Sequence, residues 1–367
     1  AKLTPTYRSQ RVLASMPVDG ENPYLAFPAV LDLGDEVLVS FKRGGFHGGG
    51  APAVLDLLRL DKRTDAVIWE PGLAGAAHKT MQMGEWVKYP DGTIANWIDV
   101  QRPPGTERDG MQGVVSSNGG RTFGPLVRFG DVDGIEFGYP FGSVVEDDTI
   151  WMIVMTFSHL KGAYSVIEKY PHAGQVGIIR SDDSGRSWMF VRNLTREFGE
   201  VPINESNFVR SGDGFLVVTR GYDQQCRLHR TDGDFKVQQQ VSLTDEYDFI
   251  ERYVGRPRLF ERNGKIYLIG RNWTGSTAAQ AVRRDGKPSF PAAMKLGLFR
   301  IDSKHLQVES YAVLDNAEAA NVTDGYYPSP YWVERDGETY LRVVDYKGED
   351  DRPPEIIEFE FRWSEID

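Results

Sequence analysis

Apolar and polar positions alternate along this chain in short runs, and no long stretch places apolar residues at helical spacing. The runs come in pairs, split by Asp-Gly, Asn-Gly or similar turn residues. Pro28-to-Lys42 (PAVLDLGDEVLVSFK) and Gln82-to-Val100 (QMGEWVKYPDGTIANWIDV) are two such pairs. Each predicts an antiparallel hairpin. Four more follow: Pro140-to-Phe157, Glu205-to-Arg220, Pro257-to-Arg271 and Pro328-to-Val344. The six hairpins start 52 to 71 residues apart, a spacing that suits propeller blades with insertions of variable length.

A second strand pair is expected after each hairpin. Val176-to-Arg180 runs into Ser181-Asp182-Asp183-Ser184-Gly185-Arg186-Ser187-Trp188, which reads S-x-D-x-G-x-x-W. Its acidic and small residues suit a tight turn, with Gly185 free to take positive φ. Met111-to-Val115 runs into Ser116-Ser117-Asn118-Gly119-Gly120-Arg121-Thr122-Phe123, the same pattern with Asn and Phe. Thr231-Asp232-Gly233-Asp234-Phe235 is an eroded third copy. The pattern resembles the Asp box of sialidase-type propellers, a fold marker that by itself says nothing of chemistry. The expected fold is all-β: one domain over residues 1–367, a six-bladed β-propeller of four-stranded antiparallel blades. Arg11-to-Ala14 is expected to supply the outer strand of the last blade. The longer insertions, Phe157-to-Gln175 and Asn272-to-Ala293, are expected as loops over one face.

Composition narrows the partners. Forty per cent apolar and 12% aromatic residues allow a large core. A net charge of −11 argues against nucleic acid and against electrostatic membrane binding. No apolar run approaches the length of a membrane span. The lone Cys226 forms no internal disulfide. The chain opens at Ala1 without Met and carries sequons at Asn193, Asn204, Asn272 and Asn321, which fits a processed secreted or periplasmic protein.

In an antiparallel hairpin the start of one strand lies beside the end of the other. In a propeller those positions on the inner strands surround the central funnel. They pair Phe27 with Arg43, Gln82 with Asp99 and Gln101, Tyr139 with His159, Glu205 with Arg220, Arg256 with Arg271, and Tyr327 with Asp345 and Lys347. Arg43, Arg220, Arg256, Arg271 and Lys347 are cations in an acidic protein, and convergent guanidinium groups suit a carboxylate ligand. The plainer reading is that some of them pair with Asp99, Glu205 or Asp345. Tyr139 and His159 are candidate substrate contacts.

Here the resemblance to sialidases reaches single residues. It implies that Glu205, opening the fourth blade, acts as base to a Tyr327 nucleophile. It implies that Arg220 and Arg256 hold a substrate carboxylate. A phenol titrates near 10 and needs a base and cations to act as a nucleophile. Two family features are missing. Where the family's first blade has Phe-Arg-Ile-Pro, this chain reads Leu25-Ala26-Phe27-Pro28, without the Arg. The loop after Arg43, Gly44-Gly45-Phe46-His47-Gly48-Gly49-Gly50-Ala51-Pro52, has no acid/base Asp. His47 is the proton-transfer group available there, with His78 and His159 weaker candidates. These histidines show no local metal-ligand spacing. No cofactor is implied. Asp131-Val132-Asp133-Gly134 and Glu349-Asp350-Asp351 are conceivable Ca²⁺ loops, with solvated loops the simpler reading.

Three functions compete. The first is an exo-acting glycoside hydrolase on an anionic terminal sugar of a glycan, with His47 or a carboxylate such as Asp99 as acid. The second is a lyase on uronate-containing glycans. There arginines neutralise the carboxylate, and His47 or a Tyr moves the C5 proton. The third is a non-catalytic glycan-binding propeller.

Overall fold

A computed structural model of the chain describes residues 1–48, 51–162, 173–273, 280–282, 288–291, 294–317, 322–349 and 352–367. Strands dominate, and the α-helices that lie wholly among the described residues are two short ones, Leu194–Glu197 and Leu243–Glu246. The strands form six antiparallel sheets, the blades of a six-bladed β-propeller. Blade one runs Tyr24–Asp32, Glu36–Gly44, Val54–Asp61, Val67–Ala74. Blade two is Thr80–Lys88, Ile94–Arg102, Gln112–Ser116, Val127–Arg128. Blade three is Tyr139–Glu146, Thr149–Phe157, Ala173–Ser181, Met189–Asn193. Blade four is Ile203–Ser211, Gly214–Gly221, Cys226–Thr231, Val237–Ser242. Blade five is Val254–Arg262, Lys265–Trp273, Met294–Asp302, Gln307–Asn316. Blade six is Ser329–Arg335, Glu338–Glu349, Glu355–Arg362, with N-terminal Arg8–Ala14 beside Glu355–Arg362. Among the described residues no helix is long and apolar enough to cross a membrane.

The chain divides into two compact units. One holds residues 1–47, 56–71 and 243–367, and the other 48–55 and 72–242. Blades five and six pack Tyr267, Leu298, Leu314, Val343, Phe359 and Trp363 into the core of the first unit. Blades two and three pack Trp97, Phe137, Met152 and Ile179 in the second. Burying such a side chain contributes roughly 1.5–3 kcal/mol, so blade-to-blade packing dominates the stability of each unit.

The eight-residue turn at Ser181 is tied by its own polar groups. Gly185 N donates to Ser181 Oγ at 2.9 Å, and Ser187 N donates to Asp183 Oδ1 at 2.8 Å. Gly185 has φ of +81°, and a Cβ there would meet the Tyr89 ring at 2.5 Å. Trp188 packs on Phe129 and Tyr89. The Asn118 copy repeats the bonding, with Gly120 N on Ser116 Oγ and Thr122 N on Asn118 Oδ1. The third copy differs: Asp232 Oδ1 accepts from Asp234 N and Lys236 N.

The first strand of every blade breaks register near its start. The residues set out of the ladder are Phe27-Pro28, Gln82, Phe141, Asn204-Glu205 and Arg256-Pro257 in blades one to five. In blade six the lead-in strand Val322–Gly325 and Ser329–Arg335 both pair with Glu338–Glu349, and Tyr326-Tyr327-Pro328 stands between them. Proline lacks the N–H a ladder needs, so a recurrent Pro suits a bulge. Phe27, Arg256 and Tyr326 take φ of +56°, +42° and +69°. For side chains of this bulk that conformation costs roughly 1–3 kcal/mol each, the kind of strain that gathers at functional sites.

Much of the two long insertions lies outside the described residues, including the stretches 163–172 and 274–279. Within the second, Gln280–Val282 pairs with Pro288–Pro291 as a two-stranded ribbon.

Candidate functional site

In the first unit, the bulges of blades one, five and six bring several sequence-predicted residues together. His47 Nδ1 lies 2.8 Å from Asp324 Oδ2. Asp324 Oδ1 accepts from Gly325 N at 2.9 Å and from the Tyr346 hydroxyl at 3.0 Å. Arg271 donates from Nε to Gly325 O at 2.7 Å and from Nη2 to the Tyr346 hydroxyl at 2.8 Å. Its Nη2 also lies 3.5 Å from Asp324 Oδ1. The guanidinium sits over the Tyr327 ring, 4.5 Å from its centroid. Phe27 closes the group, with its ring centroid 5.1 Å from His47, 5.3 Å from Tyr327 and 5.1 Å from Tyr346. Ala26 stands at the position where the resemblance expects an Arg, and Phe27, next to it, serves as an aromatic wall.

Burial sets the electrostatics. The Asp324 carboxyl is pushed up to about 8, because desolvation outweighs the Tyr346 hydroxyl and the Gly325 N–H that favour its anion. Asp345 is raised well above the usual range, again by burial, although the N–H groups of Tyr346 and Tyr327 and the charge of Arg271 oppose it. The Tyr346 phenol is raised by burial and by Asp324. The His47 side chain is 33% exposed, against 7% for Asp324. The pair can therefore hold a proton inside and exchange it with a ligand outside.

The other candidate cations of this unit, Arg43, Lys347 and Arg256, have protein partners. Arg43 grips Asp56 from Nε at 2.7 Å and Nη2 at 3.3 Å, and the Trp69 indole N–H donates to the same carboxylate. Lys347 Nζ lies 2.8 Å from Asp315 Oδ2. Arg8 and the Tyr326 hydroxyl share that carboxylate. The expectation of Lys347 as a substrate cation thus meets a buried ion pair. Arg256 is buried at its strained bulge.

The second unit holds another group. Glu205 accepts from the Tyr139 hydroxyl at 2.8 Å and from Arg220 Nη1. Asp99 is held by Arg108 through Nε at 2.9 Å and Nη2 at 3.0 Å, and by Gln101 Nε2 at 3.1 Å. Asp99 is thus the counter-ion of Arg108, which disfavours the acid role considered for it. His159 Nε2 meets the backbone N and O of Arg108, at 2.8 and 3.0 Å, and so positions that Arg. Arg108 stacks on Phe157 at 4.1 Å and Tyr139 at 5.6 Å. His78 is exposed, with φ of +60°. The acidic loops have ordinary partners: Asp131 pairs with Lys161, and Asp133 accepts from Phe190 N. Asp350 and Asp351 lie outside the described residues. Among the described residues no cluster of three or more His, Cys, Asp or Glu could hold a metal ion.

Sequence reasoning missed Asp324, Tyr346 and Arg108. Asp324-Gly325 reads as a turn dipeptide, yet it lies in a strand paired to Lys347 and Gly348. Arg108 sits on the two-residue strand Glu107–Arg108, too short to show periodicity.

No family model matches the chain, and no curated protein matches it. Solved structures do. A protein of unknown function from Dyadobacter fermentans aligns at a TM-score of 0.66 and 14% identity, over 96% of this chain and 99% of that one. The NanB sialidase of Streptococcus pneumoniae aligns at 0.63 and 9%, over 97% and 71%. An α-L-arabinanase of Penicillium chrysogenum, solved with arabinobiose, aligns at 0.59 and 10%, over 95% and 97%. The chain has the propeller fold of these glycosidases. At such identities the likeness is one of fold, so chemistry has to be argued from the side chains.

Proposed function

We propose that the chain is a glycoside hydrolase acting on an anionic terminal sugar, with His47 and Asp324 as its proton-transfer pair. The 2.8 Å contact between His47 Nδ1 and Asp324 Oδ2, beside Tyr327 and Arg271, carries this reading. With Asp324 pushed up to about 8, its carboxyl holds a proton at neutral pH and donates it to Nδ1. The imidazole proton then sits on Nε2. As a departing glycosidic oxygen takes the Nε2 proton, Nδ1 takes the Asp324 proton. The carboxylate left behind is met by the Tyr346 hydroxyl and the Gly325 N–H. A general acid titrating near the working pH is efficient in this role. Tyr327 is the proposed nucleophile, as in the Tyr-dependent exceptions among glycosidases. Arg271, buried with its guanidinium over the Tyr327 ring, is the proposed cation that favours the phenolate. In the second unit, Glu205 is proposed for acid–base work and Arg220 for carboxylate binding. The sialidase and arabinanase neighbours support the reaction class.

A uronate lyase is the second reading. A histidine in the loop that lacks the acid/base Asp, and the loss of the first-blade Arg, favour it. There Asp324 would be ionised and accept from Nδ1–H of His47, leaving Nε2 to take the proton next to the uronate carboxylate. A digest of a glycan panel read by mass separates the readings. Hydrolysis adds one water to the products, whereas elimination leaves an unsaturated product that absorbs in the near ultraviolet. Absence of any product from sialate- or uronate-capped glycans would leave a binding propeller.

A further inference from the structure

The loop that carries His47 is short and rich in glycine, with Gly44 and Gly45 before Phe46 and Gly48 after His47. Such a sequence has little conformational preference of its own, so ordering it carries a large entropic penalty. Phe46 is 58% exposed and contributes little packing to hold it. The fixing contact comes from beneath. Lys42 is 2% exposed, the last residue but two of the strand Glu36–Gly44. Its Nζ donates to Phe46 O at 3.0 Å and to His47 O at 3.2 Å. The ammonium also stands 5.8 Å from the centroid of the Phe27 ring that packs on His47. A compact cation with three N–H groups is well suited to hold two successive carbonyls.

We propose that Lys42 is a positioning residue of the proton-transfer pair: its buried ammonium fixes the Phe46–His47 backbone and so sets the imidazole against Asp324. The importance of this contact rests on the functional reading above, but the contact itself does not. Lys42 touches no reacting atom, so it acts only through where His47 is held. Removing its charge-assisted bonds frees a glycine-flanked loop and uncouples His47 from a carboxyl 277 positions away.

The test is a double-mutant cycle read by NMR titration of His47, which needs no substrate. In the wild-type background, Asp324→Asn should shift the His47 midpoint clearly. In Lys42→Met the same substitution should shift it less than half as far. Lys42→Gln, which keeps two N–H donors, should retain more of the coupling than Lys42→Met. Full coupling in folded Lys42→Met would overturn the proposal. Should Lys42→Met not fold, the wild-type Lys42 ammonium signal decides. Slow exchange of its protons with water supports the clamp, and exchange as fast as that of a surface lysine overturns it. A glycan digest without product, alongside lost coupling in Lys42→Met, would refute the functional reading and leave the clamp standing.

Discussion

Asp324→Asn tests the electrostatics of the site without reference to substrate. The amide keeps the shape of the carboxyl, and it stays neutral at every pH. In the folded protein Asp324 titrates at about 8, and in the unfolded chain near the ordinary value for Asp. Between these values the folded state binds the extra proton, so stability is fully present below the unfolded value and falls as pH rises toward 8. One such group changes stability by about 1.4 kcal/mol per pH unit inside that window. From pH 5.5 to 7.5 the wild type should therefore lose roughly 2–3 kcal/mol that Asp324→Asn does not lose. Asp345 contributes a slope of the same sign, and His229 one of opposite sign. Both occur in each protein and cancel in the comparison. Urea midpoints at pH 5.5, 6.5 and 7.5, converted with a common m-value, give the difference of slopes. Parallel pH dependence in the two proteins would refute the argument: Asp324 would then be ionised when folded, and the relay through His47 would lose its proton source.

Other side chains give separate tests. Gly185→Ala puts a Cβ against the Tyr89 ring at positive φ and should cost about 2–4 kcal/mol in urea unfolding; an unchanged midpoint would contradict the turn geometry. His229 is held neutral by burial, with its value lowered to about 3. It stacks on Phe198, and its two ring nitrogens meet Thr219 and Gln240. Its contribution is present above the ordinary His value and lost as pH falls toward 3, so His229→Phe should flatten the acid side of the stability profile. Arg108→Met leaves Asp99 buried beside Gln101 without its guanidinium and should destabilise by about 3–5 kcal/mol; a loss below 1 kcal/mol would show the pair to be dispensable.

The fold was legible because its turns carry their own chemistry. Gly92, Gly212, Gly264 and Gly337 sit in hairpin turns at positive φ, so the pairing of runs could be read from glycine and acid placement alone. The positions beside the bulges were legible for a related reason. Strand pairing fixes which end residues are neighbours, and the end residues Phe27, Glu205, Arg256 and Tyr327 prove to fall at breaks in register that the sequence did not announce. What sequence could not supply is the set of partners for each charge. Arg43 lies beside Asp56 and Lys347 beside Asp315, pairings set by packing between strands rather than by spacing. His47 was legible as an available imidazole. Its chemistry depends on Asp324, whose Asp-Gly dipeptide mimics the turn signal that revealed the hairpins.

The central claim is that His47, backed by Asp324, protonates a departing glycosidic oxygen. The most direct measurement compares His47→Ala with wild type on two glycosides of whichever sugar the digest identifies, one with a sugar leaving group and one with a nitrophenyl leaving group. A nitrophenolate leaves without protonation. The account predicts a loss of about 10²–10⁴-fold in kcat/KM on the natural linkage and a loss of less than about tenfold on the nitrophenyl glycoside. Equal losses on both substrates, or none on the natural linkage, would contradict it.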